Sequence, residues 1–121
     1  MGAEVAVSVK SNAVTSLNNF NDTLIVKMQL KPGKWVILGR ALLQNHDGDL
    51  QTVMARILHN ANVEVDRVDI WATAYWRGCV YLQGTLTSER DETIELSCST
   101  YKGIAQSGSL IAFGVDNVEI Q

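Results

Sequence analysis

The sequence is short of the residues that catalysis and metal binding usually require. It contains two histidines, two cysteines and one proline in 121 residues. No serine or cysteine sits in a nucleophile motif of the G-x-S-x-G kind, and no glycine-rich loop is built to cradle a phosphate. The paired carboxylates, Asp47 with Asp49 and Glu89 with Asp91, fall in charged turns, which are usually solvated surface rather than acid/base machinery. The expectation is a protein that is not an enzyme, with no catalytic residue and no cofactor. Cys79 and Cys98 are too few and too far apart for a zinc site. Two readings stand for them: a disulfide between neighbouring strands, or free thiols buried as small hydrophobes.

Positive charge is also scarce. The net charge is -3, and no run of Lys or Arg occurs, so neither nucleic acid nor an anionic membrane is an expected partner. No apolar stretch approaches the length of a membrane span. The segment from Met1 to Val14 lacks a basic region followed by an apolar block, so no signal peptide is expected; the protein is read as cytoplasmic or exported by another route. Nine scattered glycines and the lone proline give no low-complexity tract, and no internal repeat is visible. A chain of this length suits one domain over residues 1–121, large enough to bury roughly two thirds of its surface without a staple.

What the sequence does contain is alternation. Ala3–Val9 places Val5, Val7 and Val9 on one face and reads as a first strand. Ser11–Asp22 reads as loop, with room for a short strand at Ala13–Leu17. Thr23–Leu30 sets Leu24, Val26, Met28 and Leu30 against Ile25, Lys27 and Gln29, a half-buried strand. Lys31-Pro32-Gly33-Lys34 is a turn. In Trp35–Asn45, Trp35, Ile37, Ala41 and Leu43 share one face, and Val36, Leu38, Arg40, Leu42 and Gln44 the other. Asp47-Gly48 carries a hairpin signal. Residues 50–61 fit a helix by the spacing of Leu50, Val53, Met54, Ile57, Leu58 and Ala61, and a strand by their all-strand surroundings. Val63–Trp71 changes parity near Asp66-Arg67, which suggests a bulge. Gly78–Ser88 and Asp91–Tyr101 alternate, the latter with Ile94, Leu96, Cys98 and Thr100 inward. Tyr101–Ser109 reads as loop. Ser109–Gln121 closes the chain as a central strand apolar on both faces: Ile111, Phe113 and Val115 on one, Leu110, Ala112 and Gly114 on the other, with Val118 and Ile120 resuming after an interruption. Eight or nine such segments and no secure helix make an antiparallel sandwich or barrel.

Three features are candidates for function. The doubly apolar strands need a second covering, so Val36, Leu38, Leu42, Leu110 and Ala112 are the expected subunit interface. Trp71, Tyr75, Trp76 and Arg77 form an aromatic cluster in which Tyr75, Trp76 and Arg77 are the candidate ligand-binding residues, since rigid aromatic faces beside an Arg suit a sugar ring or a protein hot spot; the favoured reading makes Trp71 core and packs the others at a subunit interface. His46, Asp47 and Asp49 could hold a cation, but a solvated turn is the favoured reading, because their spacing completes no calcium loop, and no metal site is expected.

Lys31–Asn45 (KPGKWVILGRALLQN), Gly84–Leu86 and Thr93–Val118 (TIELSCSTYKGIAQSGSLIAFGVDNV) together resemble the small bacterial relatives of the complement component 1q head and tumour necrosis factor. In that superfamily a Pro-Gly-Lys-aromatic turn opens a long apolar strand, and a Glu-Leu-x-Cys strand leads to a closing apolar one. The resemblance implies an all-β antiparallel jelly-roll sandwich of about ten strands, a homotrimer, and a binding or structural role. No collagen-like stalk is present, so receptor-binding roles do not carry over. The alternatives are a carbohydrate-binding protein using Tyr75, Trp76 and Arg77, and the trimeric tip of a phage or particle appendage.

Overall fold

The computed structural model describes residues 5–60 and 62–121. Among them nine strands and no helix form: β1 (Ala6–Ser11), β2 (Thr15–Asn18), β3 (Thr23–Leu30), β4 (Gly33–Asn45), β5 (Gln51–His59), β6 (Val63–Ala72), β7 (Arg77–Ser88), β8 (Glu92–Ser99) and β9 (Lys102–Val115). One sheet has the order β1-β9-β4-β7, with β2 also pairing β9; the other has the order β3-β8-β5-β6. Every pairing is antiparallel. The protein is an all-β jelly-roll sandwich.

The alternation read from the sequence explains the core. Trp35, Ile37, Ala41 and Leu43 of β4 are buried, as are Ile94, Leu96, Cys98 and Thr100 at the end of the chain's most regular strand. The apolar side chains among them meet Val53, Ala55 and Ile57 of β5 and Val80 and Leu82 of β7 in one continuous cluster between the sheets. Residues 50–60, ambiguous between helix and strand, hold β5. Its helical spacing arises because the inward row Val53, Ala55, Ile57 is followed by Leu58, buried on the next parity after a register shift between Ile57 and Leu58. The partner strand skips Val65 at that shift, close to the bulge expected near Asp66-Arg67. Ala61, like residues 1–4 at the start of the expected first strand, lies outside the described residues.

Several expectations are corrected. Tyr101–Ser109 is not loop: β9 starts at Lys102 and runs 14 residues. A register shift opposite Leu42 and Leu43 leaves Gln106 as the extra residue. Gly103 and Ala105 point inward before it, and Gly108, Leu110 and Ala112 after it. The parity switch and the small side chains together hid the strand. The final strand stops at Val115, so Val118 and Ile120 do not resume it. Asp47-Gly48 does not close a hairpin, because β4 and β5 belong to different sheets. In β3 a shift between Leu24 and Val26 turns Ile25 inward and leaves Leu24 exposed. The cysteines are free, with Cys79 exposed on β7 and Cys98 buried on β8 of the other sheet. Burial pushes the Cys98 thiol up to about 12, aided by the Asp22 charge.

Two glycines are fixed by close approach between elements. A β-carbon at Gly108 would stand 2.5 Å from Cγ2 of Ile25 and 3.0 Å from Cδ2 of Leu96, so Ile25 at the β3 bulge fills the space that Gly108 leaves. A β-carbon at Gly103 would fall 2.1 Å from the Gln44 carbonyl oxygen, a contact with the backbone of β4 that no rotamer change relieves.

Candidate functional site

The register of β4 with its two neighbours defines the outer face of the first sheet. Val36 lies between Phe113 of β9 and Thr85 of β7, Leu38 between Ile111 and Gln83, Arg40 between Ser109 and Tyr81, and Leu42 between Ser107 and Cys79. Paired side chains at such positions stand about 5 Å apart, so these rows make a continuous surface. It is apolar at the Val36 end and carries Arg40 in its middle. Phe113 and Leu38 are each 39% exposed and Tyr81 is 68% exposed. Val118 and Ile120 of the C-terminal segment flank Val36 and Leu38 across a shallow depression that also includes Gln83, Gly84 and Thr85.

Of the five residues expected at a subunit interface, Val36, Leu38 and Leu42 lie on this face. Leu110 and Ala112 do not. They point into the sandwich and are fully buried in its core. The apolar residues that β9 presents outward are Ile111 and Phe113. Both faces of the last strand are apolar, as expected, but the Gln106 bulge assigns the even-numbered positions to the interior.

A second region gathers at one end of the sandwich, where four connections emerge: residues 19–22, 46–50, 73–76 and 100–101. Asn45, the last residue of β4, is wholly buried and holds two of them together. Its Nδ2 donates to the carbonyls of Asp49 at 3.1 Å, Thr73 at 3.0 Å and Ala72 at 3.4 Å, and its Oδ1 accepts from the Asp47 amide at 2.9 Å. The Tyr75 amide donates to the Asp47 carbonyl at 3.3 Å, and the Asn45 amide to the Trp76 carbonyl at 2.8 Å. The three residues expected to bind a ligand are thus split. Tyr75 is displayed at positive φ (59°) and is 65% exposed. Trp76 is half-buried and packs against the core, with Gly78 leaving room for its indole ring. The Arg77 guanidinium donates to Gln106 Oε1 at 3.0 and 3.2 Å. Trp71, which one reading placed in the core, is 72% exposed on the outer face of β6. In the turn holding His46, Asp47 and Asp49, Asp47 accepts from the Asp49 amide and from Gln51 Nε2, and no group of three His, Cys, Asp or Glu among the described residues is placed to hold a metal.

The opposite end carries a feature that sequence reasoning missed. Glu92 is a buried carboxylate at the start of β8. Ser88 Oγ donates to it at 2.5 Å, Asn60 Nδ2 at 2.5 Å, and His59 Nδ1 lies 3.2 Å away. The Ser88 hydrogen bond, with those of Asn60 and His59, lowers its pKa below the usual carboxylate value against the effect of burial. The cluster ties the β5–β6 and β7–β8 turns together. A signal was present: Glu92 shares the inward parity of Ile94, Leu96 and Cys98, one step before the alternation was picked up. Beside this end, under the β3–β4 turn, lies an apolar recess of about 280 Å³ lined by Val5, Val7, Trp35 and Val115, with Lys31 and Lys34 among its walls. The Trp35 indole N–H donates to the Lys31 carbonyl at 2.9 Å and holds the turn over it.

No family model matches the sequence, and a search of curated proteins finds no match. Among solved structures, the fold is similar to VP2 of infectious bursal disease virus. The VP2 subviral particle structure superposes with a TM-score of 0.58 at 11% identity, over 89% of this chain and 32% of VP2. The structure of the Gx strain of that virus gives a TM-score of 0.57 at 12% identity, over 89% of this chain and 32% of its own. The chain therefore spans about a third of the proteins it resembles, and at this identity the likeness is one of fold. The class so defined is the antiparallel jelly-roll sandwich.

Proposed function

We propose that this chain is a structural or binding module of the complement component 1q and tumour necrosis factor type, which assembles as a homotrimer through the outer face of the β1-β9-β4-β7 sheet and acts without catalysis or cofactor. The observation that carries this reading is the strip Phe113, Ile111, Val36 and Leu38, with Tyr81 beside it, left open on a sheet whose other face already forms the core. A contiguous apolar strip of this kind on a small protein marks an interaction surface. Closed cyclic symmetry covers it with copies of the same chain and leaves no edge for further growth. Arg40 and Lys10 share the middle row of the face with Ser109, and they are long enough to carry their charges past the apolar strip while their stems pack. The resemblance of Lys31–Asn45 and Thr93–Val118 to that superfamily supports a threefold arrangement. Light scattering after size exclusion tests it: a trimer is expected for the native protein and a monomer for Leu38→Glu, whereas a monomeric native protein contradicts the reading.

A second reading is favoured by the fold of VP2, which forms a subviral particle. In it the same trimer is the building unit of a particle or appendage. Higher-order assemblies seen by electron microscopy at high protein concentration are its expected result, and a discrete trimer at all concentrations contradicts it.

A further inference from the structure

We infer that the loop end of the sandwich is a binding surface for a neutral carbohydrate chain, centred on Phe20, Tyr101, Trp71 and Tyr75. This inference does not rest on the assembly proposed above, whose face lies along the side of the other sheet.

Four large aromatic side chains emerge where the connections gather. Phe20 is 53% and Tyr101 46% exposed, and their rings lie tilted at 42° with centroids 5.8 Å apart. Trp71 and Tyr75 are more exposed still. The second sheet runs β3-β8-β5-β6. Phe20 precedes β3, Tyr101 follows β8, Leu50 precedes β5, and Trp71 lies near the end of β6. Apolar groups therefore recur strand by strand across a sheet edge about 14 Å wide, taking the usual spacing between strands. That width suits a short oligosaccharide, whose rings offer apolar faces at regular intervals.

The backbone also works against its own preferences here. Asn19 and Phe20 both have positive φ (55° and 58°), and the Asn21 amide donates to the Asn18 carbonyl at 3.0 Å. This is a tight turn whose two central positions favour Asn and Gly. Phe stands where Gly would be easiest, and about half of the residue is left in solvent. Tyr75 repeats the pattern with a positive φ and an exposed ring. Exposed aromatics held in a disfavoured conformation contribute little to folding, and strain of this kind gathers at ligand sites.

The polar setting selects the partner. Asp47 and Asp49 in the neighbouring 46–50 connection add negative charge that works against an anionic lipid surface, while Asp22 is paired with Arg56. Phe20, Tyr75 and Tyr101 come from three separate connections and Trp71 from the end of β6, and Asn19, Asn21, His46 and the aspartates lie in these or the adjoining connections, so hydrogen-bonding groups accompany the apolar faces. A sugar chain presents the same combination of C–H faces and hydroxyl rims.

The test is binding of the full chain to an array of neutral and sialylated oligosaccharides, and to vesicles of phosphatidylcholine with and without phosphatidylserine. Trp71→Ala and Phe20→Gly serve as variants. Phe20→Gly removes the ring while suiting the backbone, so its unfolding midpoint should stay close to that of the unsubstituted protein. Binding to neutral oligosaccharides is expected, weakened at least tenfold by either variant, with Trp71 fluorescence protected from acrylamide by the bound sugar. The inference is overturned if no oligosaccharide binds, if binding survives both substitutions, if sialylated chains alone bind, or if the vesicles are bound instead.

Discussion

Asn45→Asp changes one atom type at the centre of the loop end and makes a large energetic demand. The amide nitrogen donates to three carbonyls, of Asp49, Thr73 and Ala72, from a wholly buried position. Aspartate keeps the oxygen that accepts from the Asp47 amide but turns the donor into an anion facing carbonyl dipoles. Losing the donor bonds costs about 1 kcal/mol each for the two shorter ones. Burial and the facing carbonyls raise the new carboxyl pKa by on the order of 2 units, which adds about 3 kcal/mol at neutral pH. The expected loss at pH 7 is therefore about 4–5 kcal/mol, most of a small domain's stability. The sign with pH follows from the raised pKa. The charge penalty is absent below the ordinary carboxylate value near 4, grows as pH rises between that value and the raised one, and is complete above it. Urea unfolding of the variant and of the unsubstituted protein between pH 3 and 8 should show a difference of about 2 kcal/mol in acid that widens toward neutrality. Asn45→Ala, which creates no charge, should show a difference independent of pH. A substituted protein within 1 kcal/mol of the original at pH 7, with no pH dependence in the difference, would refute the idea that this buried amide holds the loops at residues 46–50 and 73–76.

Gly108→Ala should lower stability by about 1–3 kcal/mol in urea unfolding, because its methyl group meets Ile25 and Leu96; adding Ile25→Ala should recover part of the loss. Glu92 has a lowered pKa through Ser88, Asn60 and His59, so its contribution is present above the ordinary carboxylate value and lost as pH falls through the lowered one. Acid unfolding followed by circular dichroism should accordingly be less steep in Glu92→Gln. Cys98, buried with its thiol pushed up to about 12, should resist alkylation in the native protein and react only on unfolding, whereas slow alkylation of Cys79 is the result expected if the outer sheet face is covered in the proposed trimer.

Much of the fold was legible because burial imposes a period of two on each strand. Val26, Met28 and Leu30 on β3, the inward row of β4, and Ile94 to Thr100 all obey it. The misreadings fall where the period breaks. The Gln106 bulge made most of β9 look like a loop and left the inward residues of the last strand undetermined, which is why Leu110 and Ala112 were assigned to the wrong face. The shift at Leu24 and Val26 exchanged Leu24 for Ile25. The register shift at Leu58 let β5 imitate a helix. The candidate surfaces were harder to read. Exposure of Trp71 depends on which strand lies at the sheet edge, and Phe20 and Tyr101 meet only because the β2–β3 and β8–β9 turns come together, a long-range fact that local pattern does not encode. The outer apolar strip is legible on β4, through Val36, Leu38 and Leu42, and on the last strand, since a strand apolar on both faces requires two coverings; which face of the last strand turns outward is not legible.

The central claim is that the outer face of the β1-β9-β4-β7 sheet is covered by copies of the same chain, and the native mass in solution tests it most directly. Multi-angle light scattering at micromolar concentration should return three times the mass of one chain, falling to one chain mass for Leu38→Glu with the β-sheet spectrum retained. A native protein with the mass of a single chain would contradict the account and leave the strip from Val36 to Phe113 uncovered.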